Sequence, residues 1–371
     1  MGRGTPVQGS EARGAEVRGS ETAQQKIGAW TEQVTVGIDR PAQGLFAVSL
    51  ALKLLSLGPL LILALIVALI GSVTPSFLSP GNLSNIAAQT AVIAIVAMGQ
   101  QLVILTKGID LSVGANLAFA TVMGGLMYRV ADSSAAVILT MILTGGLVGA
   151  VNGIVYVYGR LPHPFIITLA TLSICRGLAL EFSVGHTTMR GMPDVVTFLG
   201  GEASLGLPNS FFVVAGVALL ILVMTKSMVW GRWIYAVGGQ PVAALEMGIP
   251  VKGVLVSVYV MSGLCAGIGA VALAGRTAAG SPLYGNLLEL DTIAAVIIGG
   301  ASFLGGRGHL GHALIGAVMI GVIRNALNLL GVDVFFQMIA IGTIIVLAVE
   351  ADVLRNYLEG RSRVLQARRS Q

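Results

Sequence analysis

Charged side chains are scarce in this chain. Asp, Glu, Lys and Arg make up 11% of its 371 residues, whereas hydrophobic residues make up 55% and the mean hydropathy is +0.87. A soluble domain needs more charge than this to cover its surface. The composition therefore excludes an ordinary soluble protein and indicates one whose solvent is a lipid bilayer.

Groups that carry catalysis or bind metals are also few. The only two cysteines, Cys175 and Cys265, lie inside apolar runs, where we interpret them as small core residues. The closely spaced His309 and His312 lack supporting carboxylates, so no metal site is predicted. No lysine has the Gly-Lys-Ser/Thr context of a phosphate-binding loop, and no nucleophile and base suggest a hydrolase. We predict no cofactor, no metal, no catalytic residue and no ATP site in this chain.

Apolar runs of about 20 residues, the length that crosses a ~30 Å hydrocarbon core, recur along the chain. They predict an all-α polytopic membrane protein with about ten transmembrane helices, some broken or re-entrant. The third and eighth spans follow or contain acidic residues, so either is a candidate half-helix. The predicted spans are 54–73, 86–106, 113–130, 134–158, 164–183, 210–228, 253–275, 288–304, 309–329 and 334–350.

Glycine, with 50 residues against 11 phenylalanines, is abundant. Helices in lipid associate by close approach of their backbones, which small residues permit. The four-residue spacing in Gly145-Gly149-Gly153 and in Gly263-Gly267 therefore predicts tight helix packing.

Three regions differ in composition. Residues 1–53 are polar and predict a disordered cytoplasmic tail, with a short interfacial helix at 45–55. Residues 54–352 form the transmembrane domain, and 353–371 form a basic cytoplasmic tail. With both termini inside, seventeen of the 22 Lys and Arg residues fall on the cytoplasmic side and three outside. The basic excess is thus a topology signal, and no nucleic-acid partner is predicted.

The stretch from Lys107 to Asn116 places Asp110 between two apolar runs. An ionised carboxylate at membrane depth costs several kcal/mol unless it is paired or hydrated, so this one either lines a cavity or lies near an interface. Two interpretations stay open for Asp110, a gate on a solute path or a plain cap for the following helix. The residues expected in a translocation path or its gate are Asp110, Ser112, Asn116, Asn152 and Asp291.

Two loops are long enough to form surfaces. The outer one, 185–209, contains a short helix near 193–200, and the inner one, 231–253, contains another between Gly238 and Pro250. Either helix can dock a partner protein or merely cover the end of the bundle.

Four motifs follow one another along the chain. They are Gly108-Ile109-Asp110-Leu111-Ser112-Val113-Gly114, the stretch Thr168 to Ala179, the pair Gly238-Gly239 with Ala243-Ala244 and Gly248-Ile249, and Ala294 to Ser302 continuing through Gly305-Gly306-Arg307-Gly308. Together they resemble the permease subunits of bacterial ABC sugar importers of the ribose type, over about residues 57–352.

The resemblance implies a multi-pass permease of the bacterial inner membrane. A periplasmic sugar-binding protein would deliver a monosaccharide, two permease copies, identical or paralogous, would form the path, and cytoplasmic ATP-binding subunits would drive it. The inner loop corresponds to the helix that couples to the ATPase. The coupling residues are then Gly238, Gly239, Gln240, Ala243, Ala244, Glu246 and Gly248.

The chain departs from the family pattern at three places. Gln240 stands where asparagine is usual, Leu245-Glu246 stands where a basic residue is often found, and Lys107 stands where a second glycine is common.

Two other functions compete with this one. An ion-coupled secondary transporter would carry ionisable relays deep in several spans, whereas most candidates here lie near predicted span ends. A related ABC permease for branched-chain amino acids differs only in its solute. For assembly, the glycine-rich segment 294–316 either approaches a two-fold axis between permeases or packs within one subunit.

Overall fold

The protein is mostly helical in a computed structural model that describes residues 58–369. The predicted tail 1–53 and the predicted helix at 45–55 lie outside these residues. The helices are α1 (Gly58–Val73), α2 (Pro80–Leu105), α3 (Val113–Val130), α4 (Ser134–Tyr158), α5 (Phe165–Phe182), α6 (Asp194–Gly201), α7 (Asn209–Lys226), α8 (Val229–Gly239), α9 (Pro241–Glu246), α10 (Val251–Thr277), α11 (Leu288–Ile298), α12 (Leu310–Leu329) and α13 (Val334–Arg369).

Strand structure in the described residues amounts to two antiparallel pairs of two-residue strands. The strands are β1 (Met189–Arg190), β2 (Ala203–Ser204), β3 (Leu207–Pro208) and β4 (Ala279–Gly280). β1 pairs with β4, and β2 pairs with β3.

Seven helices are long and apolar enough to cross a membrane. They are α2, α4, α5, α7, α10, α12 and the Val334–Ser362 part of α13. This confirms an all-α polytopic membrane protein. The count of ten spans and the cytoplasmic termini stay predictions, because α1 is shorter, α3 falls outside the seven, and α11 has 11 residues. At 1.5 Å per residue α11 is about 16 Å long, roughly half of the hydrocarbon core.

Residues Leu54–Arg355 form one compact unit, and the end of α13 from Asn356 onward belongs to a second one. The division into a transmembrane domain and two tails stays a prediction.

Helices α2 and α10 form the centre of the transmembrane unit. Within their most apolar windows 89% of α2 and 61% of α10 is buried, against 22% for each of α4, α5 and α7. A helix that is apolar on all sides, as α2 is, needs other helices around it. α2 accordingly packs against α7, α10, α11 and α12.

The predicted glycine packing occurs between α4 and α10. A Cβ atom on Gly145 would lie 2.3 Å from the carbonyl oxygen of Gly263, and one on Gly149 would lie 2.2 Å from that of Tyr259. The two backbones are thus in direct contact, which any larger residue would prevent.

The helices α2 and α10 are each followed by non-helical chain and then by a further helix. Residues 106–112 lead from α2 into α3, and 278–287 lead from α10 into α11. The helices after the two breaks also have corresponding neighbours. Each packs against the next membrane-spanning helix and against the central helix of the other half: α3 contacts α4 and α10, and α11 contacts α12 and α2. The two breaks meet where Gly114 touches Gly285, with an added Gly114 Cβ only 2.2 Å from the Gly285 carbonyl oxygen. Two interrupted spans with corresponding neighbours resemble the internal repeats of many transporters.

Two sequence predictions need correction. The eighth span was expected to reach residue 304, but its helix ends at Ile298 because Gly300 has a φ of 106°. The inner loop was expected to contain one short helix, but α8 precedes it. The prediction took Gly231 as the start of a loop. In the structure Gly231 lies within α8, where it allows a close approach to the backbone of Thr225.

The outer short helix forms as predicted, from Asp194 to Gly201 after Pro193. It lies directly on α10, where a Gly200 Cβ would be 2.3 Å from the carbonyl oxygen of Ala272. This contact fits a helix that covers the end of the bundle.

Candidate functional site

The Asp110 carboxylate is buried and hydrogen-bonded through both oxygens. One oxygen accepts from the Ser112 N–H at 3.0 Å and from the Ser112 hydroxyl at 2.7 Å, and the other accepts from the Ser262 hydroxyl of α10 at 3.0 Å. Such bonds replace water around a buried acid. The carboxylate therefore joins the start of α3 to the middle of α10.

The backbone around Asp110 is satisfied by side chains from other helices. The Gln100 amide of α2 donates to the Asp110 carbonyl and accepts from the Asp110 N–H, each at 3.2 Å. The Ile109 carbonyl accepts from the hydroxyls of Thr168 and Tyr259, each at 3.4 Å. Unwound backbone persists at membrane depth only where protein or water supplies such partners. Residues 108–112 thus run through a polar, closely packed pocket.

Side-chain hydrogen bonds join Asp110, Ser112 and Asn152, and Asn116 lies about one helical turn after Ser112; we call these four residues the polar core. The Asn152 amide donates to the Ser112 hydroxyl at 2.8 Å, and the Asn116 amide donates to the Gly145 carbonyl at 3.1 Å. None of the four is more than 1% exposed. In this conformation the polar core offers no surface to a solute, and its predicted place in a path or gate is untested.

Asp291 lies apart from the polar core. Its two carboxylate oxygens each lie 2.8 Å from one guanidinium nitrogen of Arg324, which links α11 to α12. A buried acid with a paired arginine is electrically balanced, so this pair holds the second broken span in place.

Helix α8 ends with Gly238 and Gly239, and Gln240 connects it to α9; we call these three residues the α8–α9 corner. A Cβ on Gly238 would lie 1.8 Å from the Leu105 carbonyl oxygen, and the Gly306 N–H donates to that same oxygen at 2.9 Å. The end of α2, the corner and the loop after α11 therefore meet backbone to backbone. Glycine is needed at 238 because no side chain fits between them.

Lys107 connects this meeting point to the break before Asp110. Its φ is 64°, a left-handed conformation that favours glycine and explains why a second glycine is common here. The Lys107 ammonium donates to the Gly239 carbonyl at 3.2 Å. The lysine thus adds a contact to the corner that glycine cannot make.

The loop after α11 is fixed from two further sides. The Tyr235 hydroxyl of α8 donates to the Gly308 carbonyl at 2.7 Å, and burial raises the pKa of this tyrosine, so it remains a donor. On α13, the Asp352 carboxylate accepts from the Ser302 hydroxyl at 3.3 Å and the Phe303 N–H at 3.1 Å.

The predicted short helix of the inner loop is α9, which begins at Pro241 and ends at Glu246. Gly248 follows it with a φ of 79°, as glycine commonly does after a helix. Two surface residues of α9 and the residue after it are large and apolar, with Val242 and Leu245 each 63% exposed and Met247 82% exposed. Of the predicted coupling residues, Gly238 and Ala244 are buried, and those exposed are Gly239, Gln240, Ala243, Glu246 and Gly248.

The glycine-rich segment 294–316 packs within the chain. Ala301 and Ala313 are fully buried, and a Cβ on Gly316 would lie 1.8 Å from the Ala295 carbonyl oxygen. These contacts fit the second of the two interpretations offered for the glycines, whereas Leu304 and Gly311 of the same segment are exposed. The approach to a two-fold axis stays a prediction.

Sequence reasoning did not assign Arg176 to a site. Its guanidinium donates to the Tyr284 carbonyl at 2.9 Å and to the Pro282 carbonyl, so α5 holds the non-helical chain before α11. The feature of the sequence that could have identified Arg176 is its charge, because it lies well inside an apolar 18-residue helix.

The chain resembles known permeases over most of its length. Residues 82–349 match the family model described as branched-chain amino acid transport system / permease component. The D-allose transport system permease protein AlsC of Escherichia coli is 40% identical over 299 residues, which cover 80% of this chain and 91% of that protein. The ribose import permease protein RbsC of Bacillus subtilis is 39% identical over 298 residues, 80% and 92% of the two chains.

The fructose import permease protein FrcC of Rhizobium meliloti is 34% identical over 305 residues, 79% of this chain and 84% of that protein. No solved structure matches the chain. A family model that spans residues 82–349 and relatives that align over nine-tenths of their own length identify the same class. The chain therefore belongs to the family of permease components of ABC import systems, which are multi-pass proteins of the bacterial inner membrane.

Proposed function

We propose that this chain is the membrane-spanning subunit that imports a monosaccharide, with ATP hydrolysed by cytoplasmic partner subunits and solute delivered by a periplasmic binding protein. Relatives named for D-allose, ribose and fructose import support a sugar as solute. The observation that carries the proposal is the backbone contact of the α8–α9 corner with the end of α2, directly before the Asp110 break.

This contact gives α9 a mechanical role. A partner that moves α9 also moves the Leu105 carbonyl and Lys107, because the corner leaves no space that absorbs the displacement. Residues 108–112 follow Lys107 directly and are held to α2, α4, α5 and α10 by hydrogen bonds. Displacement of α9 is thus transmitted to the polar core, which is how ATP hydrolysis would open or close the path.

The exposed face of α9 fits a groove on a soluble partner. Val242, Leu245 and Met247 provide an apolar contact, and Glu246 adds one negative charge beside it. Apolar anchors with a charged rim are typical of specific protein interfaces.

Reversing the charge of α9 is expected to weaken coupling. Glu246→Lys places a positive charge where a complementary groove accepts a negative one, which costs a few kcal/mol at most at an exposed position and slows association. We expect the variant to fold normally, while less ATP-binding subunit co-purifies with it and solute-stimulated ATP hydrolysis falls several-fold. Glu202→Lys, an exposed acid after α6, is the matched control. Full co-purification and full stimulation with Glu246→Lys would remove α9 from the coupling mechanism.

Proteoliposomes with the permease, its ATP-binding subunits and its binding protein test the transported solute. We expect ATP-dependent uptake of at least one of radiolabelled ribose, allose and fructose. Uptake driven by a proton gradient without the ATP-binding subunits would favour an ion-coupled transporter, and uptake of leucine alone would favour an amino-acid permease.

The same preparation tests assembly. Under this proposal two permease subunits related by a two-fold axis form the path, and each needs an ATP-binding subunit. Native mass spectrometry is therefore expected to find two permeases and two ATP-binding subunits. A complex with a single permease contradicts that stoichiometry.

A further inference from the structure

Arg176 is a charged residue on the surface of a membrane-spanning helix. It stands six residues before the end of α5, about 9 Å inside it at 1.5 Å per residue. Its side chain is only half-buried, although large apolar residues such as Ile174 and Leu178 are exposed on the same helix. A charge at this depth is strongly disfavoured against lipid and almost always faces a protein or a water-filled cavity.

The chain that Arg176 holds descends along α3 without helical structure. The Ser281 N–H is bonded to Thr121, whereas Gly285 touches Gly114, seven residues and about 10 Å nearer the start of α3. Along this descent Leu283 and Asn286 are exposed, and Tyr284 is half-buried. Irregular backbone of this kind does not occur against lipid.

Glu289 brings a negative charge to the same place. Its carboxylate interacts electrostatically with Arg176, and one of its oxygens is buried beside Gly114 without a hydrogen-bond partner among the described residues. The residue itself is half-buried and is the second residue of α11, five positions after Tyr284. An acid with an oxygen that lacks a donor therefore lies within electrostatic range of a guanidinium, and the exposed Asn286 precedes it by three residues.

We propose that Arg176, Glu289 and residues 281–286 form the wall of the solute path, on which Glu289 and Asn286 bind the hydroxyls of a sugar in transit. This inference rests on the proposed function and names the face of the permease that the solute meets. Arg176 acts as a positioning residue that fixes the carbonyls of Pro282 and Tyr284. The carboxylate accepts hydrogen bonds from hydroxyls, and the Asn286 amide both donates and accepts. The opposite charges of Arg176 and Glu289 balance, which suits a solute without net charge.

The two breaks in the helices differ in how much of their polar surface is exposed. Asp110 and its partners hold the first break closed in the packed interior, whereas the second break exposes its polar groups at the side of α5. The two breaks touch at Gly114 and Gly285, so a change at the first shifts the wall formed by the second.

Water access at Asn286 tests the wall without any solute. Asn286→Cys in the assembled complex in membrane vesicles is treated with a membrane-impermeant methanethiosulfonate, and the two buried native cysteines stay in place. Leu147→Cys, at a 67% exposed position in the middle of apolar α4, is the control, and the unsubstituted chain is the blank. Because only the thiolate reacts, we expect modification at 286 to be at least about tenfold faster than at 147. Equal or slower modification at 286 overturns the inference.

Transport by Glu289→Gln tests solute contact. A hydrogen bond to a charged group changes an equilibrium by roughly tenfold or more, so we expect a drop of about that size in sugar moved per ATP hydrolysed. Glu181→Gln, an exposed acid at the end of α5, should keep the wild-type ratio. An unchanged ratio in Glu289→Gln overturns the role of Glu289, and if that variant fails to assemble, the labelling at 286 decides.

The two proposals can fail separately. Wild-type complexes that move none of the three sugars contradict the proposed function, whereas the labelling at 286 requires no transport. A wild-type complex that imports sugar while position 286 stays unreactive contradicts only the inferred wall.

Discussion

Gly238→Ala is expected to weaken coupling between ATP hydrolysis and transport strongly while leaving the membrane-spanning helices folded. The added methyl group would lie 1.8 Å from the Leu105 carbonyl oxygen and 2.8 Å from the Gly306 nitrogen, and both are backbone atoms. Neither can rotate away, so the α8–α9 corner must separate from the end of α2. Solute-stimulated ATP hydrolysis in proteoliposomes measures the effect, and we expect a loss of at least about tenfold, as steric overpacking of 1–3 kcal/mol permits.

Gly216→Ala is the matched control for this substitution. Nothing lies within 4 Å of a Cβ atom at Gly216 in α7, and alanine favours a helix over glycine. Full coupling in the control together with full coupling in Gly238→Ala would show that the corner does not transmit force.

Asp110→Ala is expected to destabilise the permease severely, and Asp110→Asn is expected to keep most of its stability. Alanine removes both acceptors and leaves the buried Ser112 N–H unpaired, at a cost of about 1–3 kcal/mol for that group alone. Asparagine still accepts from that N–H, and its amide can donate to the Ser262 hydroxyl, which turns to accept. Thermal melting of the detergent-solubilised chain, monitored by size-exclusion chromatography, ranks the stability of the unsubstituted chain, Asp110→Asn and Asp110→Ala.

Transport by the asparagine variant then separates the two interpretations of Asp110. Full transport identifies a plain cap, whereas loss of transport from a stable variant shows that the negative charge acts in the gate. Asp132, exposed between α3 and α4, serves as the control when changed to alanine and asparagine. Equal destabilisation by both substitutions at 110 would contradict the hydrogen-bonding explanation.

The membrane class of the fold followed directly from sequence, because apolar length is a property of each segment on its own. The short helices that begin next to Pro193 and at Pro241 were also predictable, since proline at the start of a helix and glycine at its end act locally. The Asp110 break was found for the same reason, because a charge and two glycines between two apolar runs are a local signal of interrupted helix.

Contacts between distant segments were not predictable. Gly238 was predicted only as a boundary of the short inner helix and as a coupling residue, whereas its close contacts with Leu105 and Gly306 are not revealed by any local pattern. Glycines 299 and 316 are compatible with a dimer surface or with internal packing, and the close contacts that they make within the chain come from segments that no local pattern identifies. Arg176 was visible as a charge in α5, but its partners lie more than a hundred residues later.

The distance along the chain between Asp110 and Ser262 has a consequence for synthesis in the cell. The two residues are 152 positions apart, so at about 5–20 residues per second the ribosome completes the second partner roughly 8–30 s after the first. During that interval α10 has not been synthesised, so Asp110 must enter the bilayer with hydrogen-bond partners from nearby residues alone. The bonds from the Ser112 N–H and hydroxyl span two residues, so they form as soon as the chain turns. The Asp-Leu-Ser triplet therefore shields its own charge through insertion, until the second half of the permease arrives.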